Sequence, residues 1–350
     1  MKKKIAISII VLLVGLRIAL PYVVKVYVNK TLQNMESYTG HVNDIDLALY
    51  RGAYVIKDLN IFKINGEKKL PFISIKKTDL SIQWKSVFKG SIVGEVICLN
   101  PIVNFAFANS DTKTQDGTEE DWTNLIKELL PIKINRFEVA KGTVNLINGI
   151  SEPSTDVKFT NFNATIENIR NVIDKNVKLP SPVRATADLE GLGGNMVLNA
   201  NMQLLKEIPD LEYDLKILDM EAVKLNPMAE YYGDINFEKG KISLVSELAI
   251  KDQQILGYFK PIGNGVKVFK FKEDEKRSPK RYVKELGVEL GKIALTNFKK
   301  NQVASRIPIK GNIDKVQTSF WPIFFSSLSN AYRKAFLKKV EAKTFFTELE

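Results

Sequence analysis

Three lysines, Lys2, Lys3 and Lys4, precede a nearly unbroken apolar run from Ile5 to Val28. A helix needs about 20 such residues to cross a hydrocarbon core roughly 30 Å thick. Residues 1–29 are therefore expected to form a membrane anchor, with Ile5, Leu12, Leu16, Leu20 and Val24 as its apolar residues. A cleaved secretory signal shares the basic start and the apolar stretch, but this run is longer than an ordinary signal core and no small-x-small pattern follows it. Arg17 is costly in such a helix, about 3 kcal/mol at the bilayer centre unless it snorkels or pairs. Pro21 is expected to loosen the helix just beyond it. The lysine cluster favours the cytoplasmic side for the N-terminus and sends everything after about Lys30 across the membrane, although Lys25 and Lys30 weigh against that orientation.

With 350 residues, 45% of them hydrophobic, the chain has length for a large core and is no disordered polymer. The formal charge of +11 suits lipid phosphates beside a membrane better than nucleic acid, because the lysines are scattered and form no arginine-rich stripe with stacking aromatics. Cys98 is the one cysteine, which excludes an intrachain disulfide framework and a multi-cysteine metal site; its apolar surroundings read as a buried small hydrophobe. His41 is the one histidine, following Gly40 at the start of the first strand, where a turn role is expected. No phosphate-cradling glycine loop, Walker motif or G-x-S-x-G elbow is present, so the reading is a non-enzyme with no catalytic residue, cofactor or metal. A membrane-tethered hydrolase with paired carboxylates is the enzymatic rival, and no spacing singles out a pair.

After the anchor, apolar residues alternate, the mark of strands with one buried face. Ile45, Leu47 and Leu49 alternate, as do Ile73 and Ile75, then Leu80, Ile82 and Trp84, then Val103, Phe105 and Phe107. The pattern resumes over Val183–Leu189, over Met196, Leu198, Ala200 and Met202, and over Leu211, Tyr213, Leu215 and Ile217. The expected fold is mostly β, an antiparallel sheet. Residues 30–108 and 132–318 are its two β segments. Between them, residues 109–131 hold a polar stretch read as exposed, then a capping-box-like Thr118-x-x-Asp121 and a short amphipathic helix marked by Trp122, Leu125, Ile126, Leu129 and Leu130. Such a helix most often plugs a sheet end or packs on its apolar face.

Around Gly142 and Gly240 the sequence echoes itself, each glycine following a lysine, and Arg51-Gly52 and Lys89-Gly90 repeat the basic-glycine pair. The expectation is a turn between neighbouring strands, in a sheet grown by repeating one unit. Residues 272–281 read as a solvated loop. Residues 319–350 read as a C-terminal amphipathic helix with an aromatic start and a basic end, suited to core packing, a lipid interface or a partner protein.

Several blocks, taken in order, carry a family resemblance. They are Leu70-Pro71-Phe72; Ile82-Gln83-Trp84 with Phe88-Lys89-Gly90; Val96 to Pro101; Leu129 to Ile134 with Val139 to Gly142; Asn226-Pro227; Tyr231 to Gly233; Gly240 to Glu247; Gly257 to Pro261; and Arg306 to Gly311 with Trp321-Pro322 and Asn330-Ala331. The chain resembles the AsmA-like envelope proteins of Gram-negative bacteria, in the branch long known as a domain of unknown function. The resemblance implies a single-pass inner-membrane protein, most of it periplasmic, with an elongated, curved β-groove that carries phospholipid toward the outer membrane. It brings no catalytic residues. Its expected partners are membrane phospholipids and, through the C-terminal helix, other envelope proteins. The expected groove lining is Ile45, Leu47, Leu80, Ile82, Trp84, Phe105, Phe107, Leu198, Ala200, Met202, Tyr213, Leu215 and Ile217. About 18 to 20 strands at about 4.8 Å each would make a trough of roughly 90 Å. The same period-2 pattern also serves a closed sandwich core, and with it the alternative of a structural or regulatory interaction protein supporting outer-membrane assembly.

Overall fold

A computed structural model describes residues 2–48, 52–66, 70–82, 93–107, 114–117, 119–120, 122–129, 133–148, 156–169, 177–203, 210–227, 229, 236–269 and 307–312. Trp84, Leu49, Thr118, Asp121, Leu130, Lys89-Gly90, the 272–281 segment and the C-terminal helix expected over 319–350 lie outside the described residues. The order begins with helix α1 (Lys2–Gln33), then β1 (Tyr38–His41), β2 (Asp44–Ala48), β3 (Ala53–Lys63), β4 (Ile73–Ile82), β5 (Val93–Leu99) and β6 (Ile102–Phe107). Helix α2 (Trp122–Leu129) precedes β7 (Lys133–Asn148), β8 (Val157–Glu167), β9 (Ser181–Glu190), β10 (Asn195–Met202) and β11 (Leu211–Glu221). A 3-10 turn, Ala222–Leu225, leads to β12 (Asn236–Lys251), β13 (Gln254–Phe269) and β14 (Ile307–Asn312).

All fourteen described strands form one sheet, ordered β1-β3-β4-β5-β7-β8-β9-β10-β11-β12-β13-β14, with β2 on β3 and β6 on β4 and β7. The chain is thus mostly β, as the alternation indicated. The sheet is mixed, which corrects the antiparallel expectation: β5 and β6 both run parallel to β7. The reason is local. β5 and β6 lie end to end along the 16-residue β7, joined at Asn100-Pro101, with β5 on residues 133–140 and β6 on residues 143–148. A parallel return needs a long crossover, and residues 108–132, with α2 inside them, supply it.

Glycine explains a second correction. Gly142 and Gly240 do not make turns between strands; each sits inside a long strand where the pairing register shifts. Gly52 does sit in the turn before β3, at φ 61°. The bulges align across the sheet. Asp58, Asn100, Lys141 and Asn161 all hold positive φ, between 48° and 54°. The Asn100 N–H donates to the Ala140 carbonyl at 2.8 Å, the Lys141 N–H to Asn163 Oδ1 at 3.0 Å, and Asn161 Nδ2 to Asp188 Oδ2 at 2.7 Å. Asn and Asp tolerate this backbone better than branched residues do. Bulges bend and twist the strands that carry them, so a line of them creases the sheet. Asp219 (φ 60°) and Gly240 (φ 110°) mark a similar break on β11 and β12.

At Gly240 an added Cβ would lie 2.5 Å from Val266 Cα and 2.6 Å from its nitrogen. The φ is itself one that a side chain rarely adopts. Gly240→Ala is therefore expected to cost about 3 kcal/mol or more, read as a fall in thermal midpoint, whereas Gly191→Ala, with open space around it but φ 82°, is expected to cost about 1 kcal/mol.

The first end of the sheet has a helical cover. α1 is a single 32-residue helix with Pro21 inside it. Val28 and Leu32 are buried, and Leu20 and Val24 pack partly against the same cluster, a stripe at i, i+4 spacing. Asn29 Oδ1 accepts the Val42 N–H at 2.7 Å, pinning the helix to the chain between β1 and β2. α2 behaves as its pattern indicated: Trp122 and Leu125 are buried in the same cluster and Leu129 packs at its edge, while the Ile126 side chain lies outside the described residues. The preceding polar stretch is not exposed throughout. Thr114, Gln115, Gly117 and Glu120 are buried, because the segment folds back and pairs Gln115 with Ala106 through main-chain bonds of 2.7 and 3.0 Å.

Tyr38 is the centre of that packing. It is fully buried, with ring centroids 5.1 Å from Phe72 and 5.3 Å from Trp122, and its hydroxyl accepts the Gly117 N–H at 3.0 Å. Trp122 Nε1 donates to the Gly117 carbonyl at 2.8 Å. Lys63 lies over the Tyr38 ring and pairs with Glu119.

Candidate functional apolar face

Side chains of residues directly opposed in a ladder project to the same face. Following partners from strand to strand gives one continuous row: Leu47, Tyr54, Leu80, Val96, Phe137, Ile166, Val183, Ala200, Tyr213, Leu248, Gly257, Ile309. A second row runs beside it: Ile45, Ile56, Thr78, Cys98, Val139, Ala164, Ala185, Leu198, Leu215, Ser246, Phe259, Ile307. Neither row contains a charge. The row on the opposite face does: Asp46, Val55, Asp79, Ile97, Glu138, Thr165, Arg184, Asn199, Asp214, Glu247.

Several polar atoms on the apolar face have partners there. Thr78 Oγ1 and Cys98 Sγ lie 4.0 Å apart. Tyr213 Oη lies 3.2 Å from Ser246 Oγ, which donates to the Tyr258 carbonyl at 3.0 Å. Burial raises the Tyr213 phenol above its ordinary value and pushes Tyr54 up to about 12. Burial likewise pushes the Cys98 thiol from 9.0 up to about 11, against a smaller opposite effect of the Thr78 hydrogen bond. The small buried hydrophobe inferred for Cys98 is what the structure holds. The thiolate is the reactive form, so Cys98 is expected to resist iodoacetamide at pH 8 in the folded chain and to react in urea. The unfolded thiol ionises near 9.0 and the folded one near 11, so Cys98 removes stability as pH rises between those values; Tyr54 extends the loss toward 12. A urea titration at several alkaline pH values checks this.

Sequence-derived lining residues divide into groups. Leu80, Leu198, Ala200, Met202, Tyr213, Leu215 and Ile217 share the apolar face; Leu80 and Met202 are buried and the others half-buried. Ile82 is half-buried at the end of β4. Ile45, Leu47 and Phe105 also face this side but lie in the cluster covered by α1 and α2, so they are packed core beneath helices rather than open lining. Phe105 meets Phe72 edge-on at 5.6 Å. Phe107 belongs to β6, but its side chain, like Trp84, lies outside the described residues. Val96, Phe137, Ile166, Leu248 and Ile309 were missed as lining. Val96 alternates with Cys98, and Ile166 with Ala164 and Phe162, in short stretches that follow a register shift, and Leu248 precedes Ala249 and Ile250 in an unalternating apolar run.

His41 is exposed at the end of β1, stacked on Phe62 with ring centroids 6.3 Å apart. Among the described residues no group of three or more His, Cys, Asp or Glu side chains is placed to hold a metal ion. A cavity of about 200 Å³ lies over Glu138, Thr165, Arg184 and Thr186 on β7 to β9. It is smaller than the pockets that enclose a small-molecule ligand, about 300–1,000 Å³.

In α1, Ile5 is exposed and Leu20 and Val24 half-buried against the sheet, while the side chains of Leu12 and Leu16 lie outside the described residues. Among the described residues no helix is long and apolar enough to cross a membrane. Comparison with models of known protein families finds none that matches, and comparison with functionally described proteins finds no match either.

Proposed function

We propose that the chain is an AsmA-like, membrane-anchored lipid-binding protein that holds phospholipid acyl chains along the apolar face of its sheet and helps pass them between envelope membranes. α1 is its single-pass anchor in the inner membrane and the sheet lies in the periplasm. The observation that carries this reading is the pair of uncharged rows running through twelve strands without interruption. A charge in either row would hold water in the path of an acyl chain, and neither row has one. The ten strands beyond the helix-covered end, at about 4.8 Å each, give a path of roughly 45 Å, longer than one acyl chain and shorter than the trough expected from the sequence. The aligned bulges supply the curvature that turns a sheet into a trough.

The test is photocrosslinking in living cells. A benzophenone amino acid at Leu198 or Leu215 is expected to capture phospholipid, and the same group at Asn199 or Glu212 on the opposite face is not. Capture of a polypeptide alone at Leu198 and Leu215 would favour the interaction-protein reading, and no capture at either would match a closed, dry core.

A further inference from the structure

Helix α1 is asked to do two things over the same residues. If Lys4 marks one headgroup level, a 30 Å core at 1.5 Å per residue extends to about Val24. Yet α1 is already docked on the sheet before that point. Leu20 and Val24 pack against the β2–β3 cluster, and Arg17 Nη1 donates to the Leu47 carbonyl. Arg17 lies about 20 Å from Lys4 along the axis, leaving about 10 Å of core still to cross.

The contacts run in step along the two elements. Going down the helix from Asn29 to Arg17, the sheet partners go from Val42 to Leu47, so β2 runs antiparallel to α1 along its side. The other side of the docked stretch is apolar and open, with Ile18 72% and Tyr22 71% exposed and Val23, Val26 and Tyr27 each at least half exposed. Water-facing helices do not carry such a face; lipid-facing ones do. On the apolar side of the flanking strands Leu47, Tyr54 and Ile56 carry no charge, while Asp46 and Asp79 lie on the other face on either side of Val55; the ion pair Asp44 with Lys57, at 2.9 Å, comes higher, toward Lys25.

We propose that the β2–β3 end of the sheet, with the helices that cover it, is immersed in the leaflet from which α1 emerges, so that the sheet begins among acyl chains and not above the headgroups. This rests on the anchor and lipid-binding reading above. It gives Arg17 a role: intramembrane arginines persist where they bond to backbone carbonyls, and Arg17 holds the hairpin at depth through Leu47. Asp46, exposed on the other face of β2 opposite Val55, is a charge that the hairpin carries with it.

The experiment uses the full chain, with Cys98→Ala, reconstituted into vesicles of phosphatidylcholine containing acyl-chain spin-labelled lipid. Ala48→Cys, Ala53→Cys and Asn43→Cys each carry an environment-sensitive fluorophore. The expected result is that labels at 48 and 53 are quenched by the spin-labelled chains and shielded from aqueous iodide, while the label at 43 shows the reverse. Iodide quenching of both 48 and 53 at the level of 43 overturns the proposal. Photocrosslinking at Leu198 is read separately: lipid captured there with 48 and 53 in water would sink only the immersion, and immersed labels without lipid at Leu198 would sink only the groove reading.

Discussion

Changing Leu215 to Asp is expected to strip phospholipid from the protein without unfolding it. Leu215 sits between Leu198 and Ser246 in the second row and is half-buried. One strand spacing of about 4.8 Å holds roughly four methylenes of an extended chain, and at about 0.8 kcal/mol each a single lost rung costs about 3 kcal/mol, or a hundredfold in affinity. A carboxylate does more than leave a gap, because it stays hydrated and pulls water into the path. In the empty protein the same carboxylate can be solvated, so the sheet survives. Lipid that co-purifies with the full chain, measured by mass spectrometry per mole of protein, should fall to near background in Leu215→Asp, drop partially in Leu215→Ala, and stay unchanged in Thr186→Asp on the opposite face of β9. Retention of lipid by a folded Leu215→Asp protein would count against the groove.

The second large effect lies at the helical end. Tyr38→Ala removes a fully buried ring that touches both Phe72 and Trp122 and is expected to cost about 3–5 kcal/mol. The consequence is local before it is global. α2 and the folded-back 114–120 segment are held to the sheet through Tyr38, Trp122 and Gly117, so limited proteolysis should cut first between α2 and β6. Tyr38→Phe keeps the ring and leaves the buried Gly117 N–H without its acceptor, a loss of about 1–2 kcal/mol. Burial also raises the Tyr38 phenol well above its usual value. The unfolded phenol ionises near 10 and the folded one does not, so wild-type stability should decline above that pH and the decline should be shallower in Tyr38→Phe.

These residues show what a reader of the sequence could and could not see. Alternation over Leu198, Ala200 and Met202 and over Tyr213, Leu215 and Ile217 placed them on one face because those strands are regular, and their register partners agree. Period 2 fails where a bulge inserts a residue, which is why Lys141-Gly142 and Lys239-Gly240 looked like turns and why Ile166 was missed. The parallel pairing of β5 and β6 with β7 depends on which strand lies beside which, a relation between segments far apart in the chain that no local pattern encodes. Ile45 and Leu47 carry the same signal as Leu198, yet a helix lies over them; apolarity marks a face, and only packing says whether it is occupied by protein. The polar stretch before α2 misled for the opposite reason, since buried polar groups such as Gln115 are legible only through their partners.

The line of positive-φ residues, Asp58, Asn100, Lys141 and Asn161, has a mechanical meaning. A sheet resists stretching across its strands because every hydrogen bond would have to lengthen at once, but it folds easily along a row where the ladder is already interrupted. Such a row makes the proposed trough stiff in length and compliant in bore. Its reach between membranes is then set by strand number, while its cross-section can adjust to one acyl chain or to the bulkier pair carried by a whole phospholipid, with the hinge axis lying along the direction of travel.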